Sequence, residues 1–235
     1  MTTLSRKSNS ALAIGIPKID EAFPGFRRGD FAVLFGLPIC KRLAFLLCVR
    51  SQLSLKKGGL NSTVTYVDGG NTFDPYAVST IAREYGLDPK SVLEKIIVSR
   101  AFTAYQLSAL VFEKLEETLK QHRSKTVIVS DITGLFLDQD VPKSEGRNIF
   151  MKMAKYLSEL AYTRKAVIVA SCFPRHNSKI SMFLESVLFG RATTLIKLKE
   201  FRGVLKFVLK DHPNLKPFAI DFPSNPVTID MFMED

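Results

Sequence analysis

Residues 31–42 read Phe31-Ala32-Val33-Leu34-Phe35-Gly36-Leu37-Pro38-Ile39-Cys40-Lys41-Arg42. Five apolar residues in a row are too few for a helix and fit a buried strand, whereas Arg42 to Leu53 carries a helical period. A strand, a glycine turn, a lysine and a helix make the context of a P-loop. In the full motif, G-x-x-x-x-G-K-[ST], the glycines let backbone N–H groups wrap phosphates, Lys reaches the β/γ-phosphates and the hydroxyl ligates Mg²⁺. Gly36 and Lys41 are kept. Cys40 takes the place of the second glycine, Arg42 that of the hydroxyl residue, one residue is missing between the two glycine positions, and Pro38 removes an N–H donor. The loop is therefore expected to bind Mg·ATP poorly. The basic pair Lys41–Arg42 at a helix start opposes the helix dipole and calls for an anion. Arg42 can also supply the charge Mg²⁺ would bring, holding a nucleotide without hydrolysing it.

Outward from this turn, short β-branched runs recur at Val64 to Val67, Ile96 to Val98, Val127 to Val129 and Val167 to Ala170. Between them lie helix-period segments: Pro75 to Tyr85, Ala104 to Gln121 and Gly146 to Thr163. Continuous apolar strands alternating with helices predict an α/β fold with a mostly parallel sheet covered on both faces. Thr193 to Leu198 and Val204 to Leu209 predict an antiparallel hairpin closing the sheet edge. The division expected is a flexible segment at 1–13 and a single core domain at 14–235.

Composition narrows the classes. Of 235 residues, 46% are hydrophobic and 24% charged, which fits one globular domain. No apolar run approaches the roughly 20 residues of a membrane span, and Met1 to Ser10 lacks a signal-peptide core. The expected location is the cytoplasm. Cys40, Cys48 and Cys172 follow no metal-ligand or disulfide spacing, so no metal site is assigned. The net charge is +10, and Arg164 to Lys216 carries 11 Lys plus Arg against 3 Asp plus Glu, which favours a polyanionic partner.

Ligands of open α/β sheets bind beyond the carboxyl ends of the strands. The second strand runs into Asp68-Gly69-Gly70-Asn71-Thr72-Phe73-Asp74 and the fourth into Ser130-Asp131. An Asp after an apolar strand beside a P-loop makes Asp131 the candidate for the Mg²⁺-binding Walker B carboxylate.

Several stretches together resemble the ATPase core of the RecA/RadA recombinase superfamily, most closely the archaeal RadA-like paralogues. They are Gly15 to Asp20 with Gly25 to Asp30, Thr72 to Pro75, Ile81 to Pro89, Ser99 to Thr103 with Gln106, and Asp211 to Leu215. Phe183 to Leu198 looks like the family's C-terminal strands. The resemblance covers Ile14 to Phe222 and implies a RecA-like P-loop NTPase core using ATP and Mg²⁺. It also exposes departures: Gly70 stands where the family has its water-activating Glu, and Cys172 where it has a γ-phosphate-sensing Gln. No catalytic residue is therefore assigned, and the nucleotide set reduces to Gly36, Lys41, Arg42 and Asp131. Asp68 and Asp74 are the carboxylates nearest the missing Glu.

By the same resemblance, DNA-binding loops fall at Asp138 to Gly146, with Lys143, and at Phe173 to Ser181, with Arg175, His176 and Lys179. Cations on such loops neutralise phosphates without reading bases. The implied protein is a recombinase paralogue serving as an accessory factor in homologous recombination and DNA repair. Its partners would be single-stranded DNA and a recombinase or another paralogue, with self-association as a further option. No Phe precedes Phe23 to form the family's Phe-x-x-Ala tether, so autonomous filament growth is not expected. The alternative is a DNA-dependent ATPase with a non-standard nucleotide site.

Overall fold

The computed structural model describes residues 11–173 and 178–223. A two-stranded ribbon, β1 (Ala11–Leu12) with β2 (Phe26–Arg27), brackets a short helix α1 (Pro17–Ala22). There follow β3 (Phe31–Gly36), α2 (Cys40–Gln52), β4 (Val64–Asp68), α3 (Pro75–Glu84), α4 (Pro89–Glu94) and β5 (Ile96–Arg100). The chain continues through α5 (Ala104–Ala109), α6 (Leu115–His122), β6 (Thr126–Ser130), α7 (Lys143–Arg164), β7 (Val167–Cys172) and α8 (Lys179–Phe189). It closes with β8 (Thr194–Phe201), β9 (Val204–Asp211) and β10 (Phe218–Pro223). The main sheet has eight strands in the order β10-β9-β8-β3-β7-β6-β4-β5. Strands β8, β3, β7, β6, β4 and β5 are mutually parallel, and β9 and β10 add on antiparallel.

This is the expected α/β core, and the physical reason is visible strand by strand. Residues of β4, β6 and β7 are buried throughout, because helices cover both faces. Tyr66, Ile128, Val169 and Leu34 pack under α1 to α4, while Val67, Val129, Ala170 and Val33 pack under α5 to α8. Helix α2 is buried nearly all round because α3 and β1 pack on it as well as the sheet, so it lacks the polar face of a surface helix.

Four details differ from the expectation. Ala11 and Leu12 fall on the flexible side of the 13/14 division, yet they pair with β2 and Leu12 is fully buried. The segment 179–189, including Phe183 to Phe189 of the stretch expected as strands, is helix α8, whose Leu184 and Leu188 sit one turn apart on the core face. The hairpin does not close the sheet, since β10 lies outside β9. The long helix expected over 104–121 contains a π-turn at Leu110–Lys114, with Val111 and Leu115 both in the core.

Candidate functional site

The carboxyl ends of five parallel strands place Gly36, Cys172, Ser130, Asp68 and Arg100 along one edge of the sheet. Gly36 has φ +111° and sits against β8: a Cβ there would lie 2.1 Å from the carbonyl oxygen of Leu198. Only glycine fits that approach.

The loop after Gly36 turns directly into helix. The Leu37 amide donates to the Leu198 carbonyl at 3.0 Å, that of Cys40 to the Leu37 carbonyl at 3.1 Å and that of Lys41 to the Pro38 carbonyl at 3.0 Å. These amides are the groups a phosphate cradle would turn toward its ligand. Ile39 is already in right-handed helical conformation, and it packs with Phe73 and Phe173 against the α2 core. Lys41 is half-buried with its Nζ 5.4 Å from the Phe173 ring centroid, a cation–π contact, whereas Arg42 is exposed. Cys40 is fully buried, and burial pushes its thiol up to about 12.

Next along the edge, Asp68 is wholly buried and acts as an organiser of the following turn. It accepts from the amides of Thr72 (3.0 Å) and Phe73 (3.0 Å) and from the Ser130 hydroxyl (2.8 Å), with Arg100 Nε at 3.4 Å. Burial by itself would raise its pKa, but the two amides, the hydroxyl and Arg100 prevail and hold the carboxyl below its usual value. Asp74 is the N-cap of α3, accepting from the amides of Tyr76 and Ala77. Both carboxylates that flank Gly70 in the chain are thus engaged in structural hydrogen bonds.

Asp131 lies one residue beyond β6 in left-handed conformation, φ +43°. Its amide donates to Ser171 Oγ at 3.1 Å and its carbonyl accepts from Gly134 at 3.1 Å. The side chain folds between two turns: a Cβ on Gly134 would be 2.5 Å from Asp131 Oδ2, and one on Gly70 would be 2.9 Å from Asp131 Cβ. The residue that ends β6 in register with Asp68 is Ser130. Sequence reasoning missed the Ser130–Asp68 pair, and the period-two alternation through Ile128 and Ser130 was the available signal. Cys172 is fully buried and lies on the α5–α8 side with Ala170, and burial raises its thiol strongly, with Glu185, Cys40 and Asp131 adding to the effect.

A family model described as Rad51 matches residues 1–175. The chain belongs to the Rad51 family. Similar proteins include DNA repair and recombination protein RadA of Cenarchaeum symbiosum (strain A), 30% identical over 128 residues, or 53% of this chain and 32% of that protein. The meiotic recombination protein DMC1 homolog of Arabidopsis thaliana is 33% identical over 142 residues, 60% of this chain and 38% of the relative. That of Glycine max is 32% identical over 162 residues, 68% and 44% respectively. The chain spans less than half the length of these relatives.

Within this Rad51-family core the nucleotide set divides. Gly36 and Lys41 bracket one turn, while Asp131 sits two strands away, past β7. Of the DNA-binding set, Arg175 and His176 lie outside the described residues. Lys143 and Lys179 are both exposed and each is the first residue of its helix, α7 and α8. A depression of about 300 Å³ runs from Phe136 and Asp138 past Lys143 to Ile180, so the structure brings the two helix starts to one place. Among the described residues no group of three or more His, Cys, Asp or Glu is placed to hold a metal ion, and no helix is long and apolar enough to cross a membrane.

Proposed function

We propose that this chain is a recombinase paralogue acting as an accessory factor in homologous recombination and DNA repair. It binds single-stranded DNA, a recombinase-family partner or both, and turns over little or no ATP. The names of its relatives support the recombination setting. The observation that carries the rest is the bonding of the loop: the amides of Leu37, Cys40 and Lys41 are satisfied within the chain. Turning three such groups to a phosphate gives up about 1 kcal/mol each, roughly a hundred-fold in affinity. Gly70 and Cys172 remove a water-activating carboxylate and a polar γ-phosphate contact from the same edge. If ATP and Mg²⁺ bind, Gly36, Lys41, Arg42 and Asp131 are the residues to hold them. The nucleic-acid set is Lys143, Arg175, His176 and Lys179, and 14–235 is read as one core domain.

The alternative ATPase reading has one observation in its favour, the Asp131 side chain packed against Gly70. Phosphate release from ATP by purified protein with single-stranded DNA separates the two. The expected result is release no greater than that of the Lys41→Ala variant; turnover that Lys41→Ala abolishes overturns the proposal. For DNA, the double variant Lys143→Glu/Lys179→Glu should weaken single-strand binding about ten-fold, alike for all sequences. It should also flatten the salt dependence by about 1 to 2 in log–log slope. Unchanged titrations would remove these two residues from the interface.

A further inference from the structure

The turns on the edge of the sheet opposite the candidate site are strongly basic. The six turns that feed the parallel strands at their amino ends are residues 28–30, 53–63, 95, 123–125, 165–166 and 190–193. They carry Arg28, Lys56, Lys57, Lys95, Arg123, Lys125, Lys165 and Arg191, against the single acid Asp30. All of these cations are exposed except Lys125, which is half-buried. The turns leaving the carboxyl ends show the reverse. Residues 37–39, 69–74, 101–103 and 131–142 contain Asp74, Asp131, Asp138 and Asp140 and no Lys or Arg, and the connections after β7 and β8 add one Arg each, Arg175 and Arg202.

Helix dipoles account for part of this, because α2, α4, α6, α7 and α8 end at the amino edge and one cation near each end is favourable. They do not account for Arg28, which follows a strand, or for the pairs Lys56–Lys57 and Arg123/Lys125. Backbone conformation adds an independent sign. Arg123 (φ +53°) and Lys165 (φ +52°) are the left-handed C-cap residues of α6 and α7, a position where glycine is the default. Both retain a long cation at the expense of backbone strain.

Several of the cations are also held in place. Arg28 Nε donates to the Lys165 carbonyl at 2.8 Å, Lys125 Nζ donates to the Leu60 carbonyl at 3.2 Å, and Lys165 Nζ lies 4.7 Å from the Tyr162 ring centroid. Arg164 and Lys120, in the helices beside this row, are neutralised by pairing with Glu116.

We propose that this amino-terminal edge is a second nucleic-acid surface, one that binds the phosphate backbone of duplex DNA. From β8 to β5 the row crosses five inter-strand steps of about 4.8 Å, roughly 24 Å in all. At 3.4 Å of helix axis per phosphate of each strand, that is the length of about seven base pairs of duplex. Five of the six turns have four residues or fewer, the exception being 53–63, and Tyr162, the exposed ring beside the row, already lies under Lys165. Rigid cations without free stacking rings suit the regular phosphates of a duplex better than a flexible single strand, which calls for aromatic platforms. The surface is separate from the depression lined by Lys143 and Ile180 and does not depend on it.

The left-handed caps supply a clean test. Arg123→Gly and Lys165→Gly remove two charges while relieving strain, so folding is preserved, and Lys56→Ala/Lys57→Ala removes two more from exposed positions. With full-length protein and a short random-sequence duplex, the quadruple variant should bind at least ten-fold more weakly. Its log–log salt slope should be shallower by about 3 to 4, near 0.9 per phosphate contact. Lys143→Glu/Lys179→Glu should leave duplex binding in place; failure of the single-strand assay alone would then count against the carboxyl-edge loops and not against this surface. Duplex affinity and slope unchanged in the quadruple variant would overturn the proposal. Charge-dependent binding to phosphatidylserine vesicles without duplex binding would overturn it in favour of a membrane.

Discussion

Asp68→Ala is expected to destabilise the fold by about 3–5 kcal/mol, read as a fall in the urea midpoint with unchanged slope. The substitution strands the Thr72 and Phe73 amides and the Ser130 hydroxyl at a buried site. Each unpaired donor costs about 1–3 kcal/mol, while the half-exposed Arg100 adds little. Asp68→Asn keeps one acceptor oxygen and should lose about half as much. The consequence reaches the site: the turn 69–74 carries Phe73, which packs edge-on against Phe45 and Tyr66 and shares a core with Ile39 of the loop after Gly36. The same residue sets an acid limit. Because its pKa is lowered on folding, its contribution is complete above the unfolded carboxylate value near 4 and is lost as pH falls through the lower folded value. Wild-type stability should therefore decline below about pH 4 more steeply than that of Asp68→Asn. A midpoint change below about 1 kcal/mol for Asp68→Ala would show that the buried bonds do not hold the turn.

The second large effect is expected from Gly36→Ala. The added methyl would sit 2.1 Å from the Leu198 carbonyl oxygen, on a residue with φ +111°. Neither backbone can yield without breaking the β3–β8 ladder, in which Gly36 pairs with Leu198. A loss of about 3 kcal/mol or more, or failure to accumulate soluble protein, is the expected outcome. The effect on nucleotide is a separate matter, because the glycine is retained here for strand packing whether or not a phosphate is bound. A variant with wild-type midpoint would mean that β3 and β8 are further apart than described.

How much of this was open to sequence reasoning varies by element. The strands through Phe31, Val64, Val127 and Val167 were readable because their burial on both faces leaves unbroken apolar runs between polar turns. Asp74 was readable as well, since an Asp before Pro75 is a local N-cap signal. β10 was not: Phe218–Pro223 is an edge strand with a mixed pattern, and only its pairing with β9 defines it. Asp131 was chosen as the strand-terminal carboxylate from its place in the chain, but its left-handed backbone depends on Ser171 of the neighbouring strand. The basic surplus of Arg164 to Lys216 does not form one surface in space, since Lys165 and Arg191 lie at the amino edge of the sheet and Lys179 begins α8 at the other.

From the order of residues alone came the α/β class, the family resemblance, and the altered loop from Gly36 to Arg42, all of which rest on periodicity and on which side chains are present. Which amides of that loop are already bonded, which carboxylate is buried under four partners, and which edge of the sheet is basic were decided only by the assembled fold. Hydrogen-bond partners such as Leu198 for Leu37, and Ser130 for Asp68, are brought together across 161 and 62 positions of chain by parallel pairing. No local rule of sequence encodes contacts at that separation.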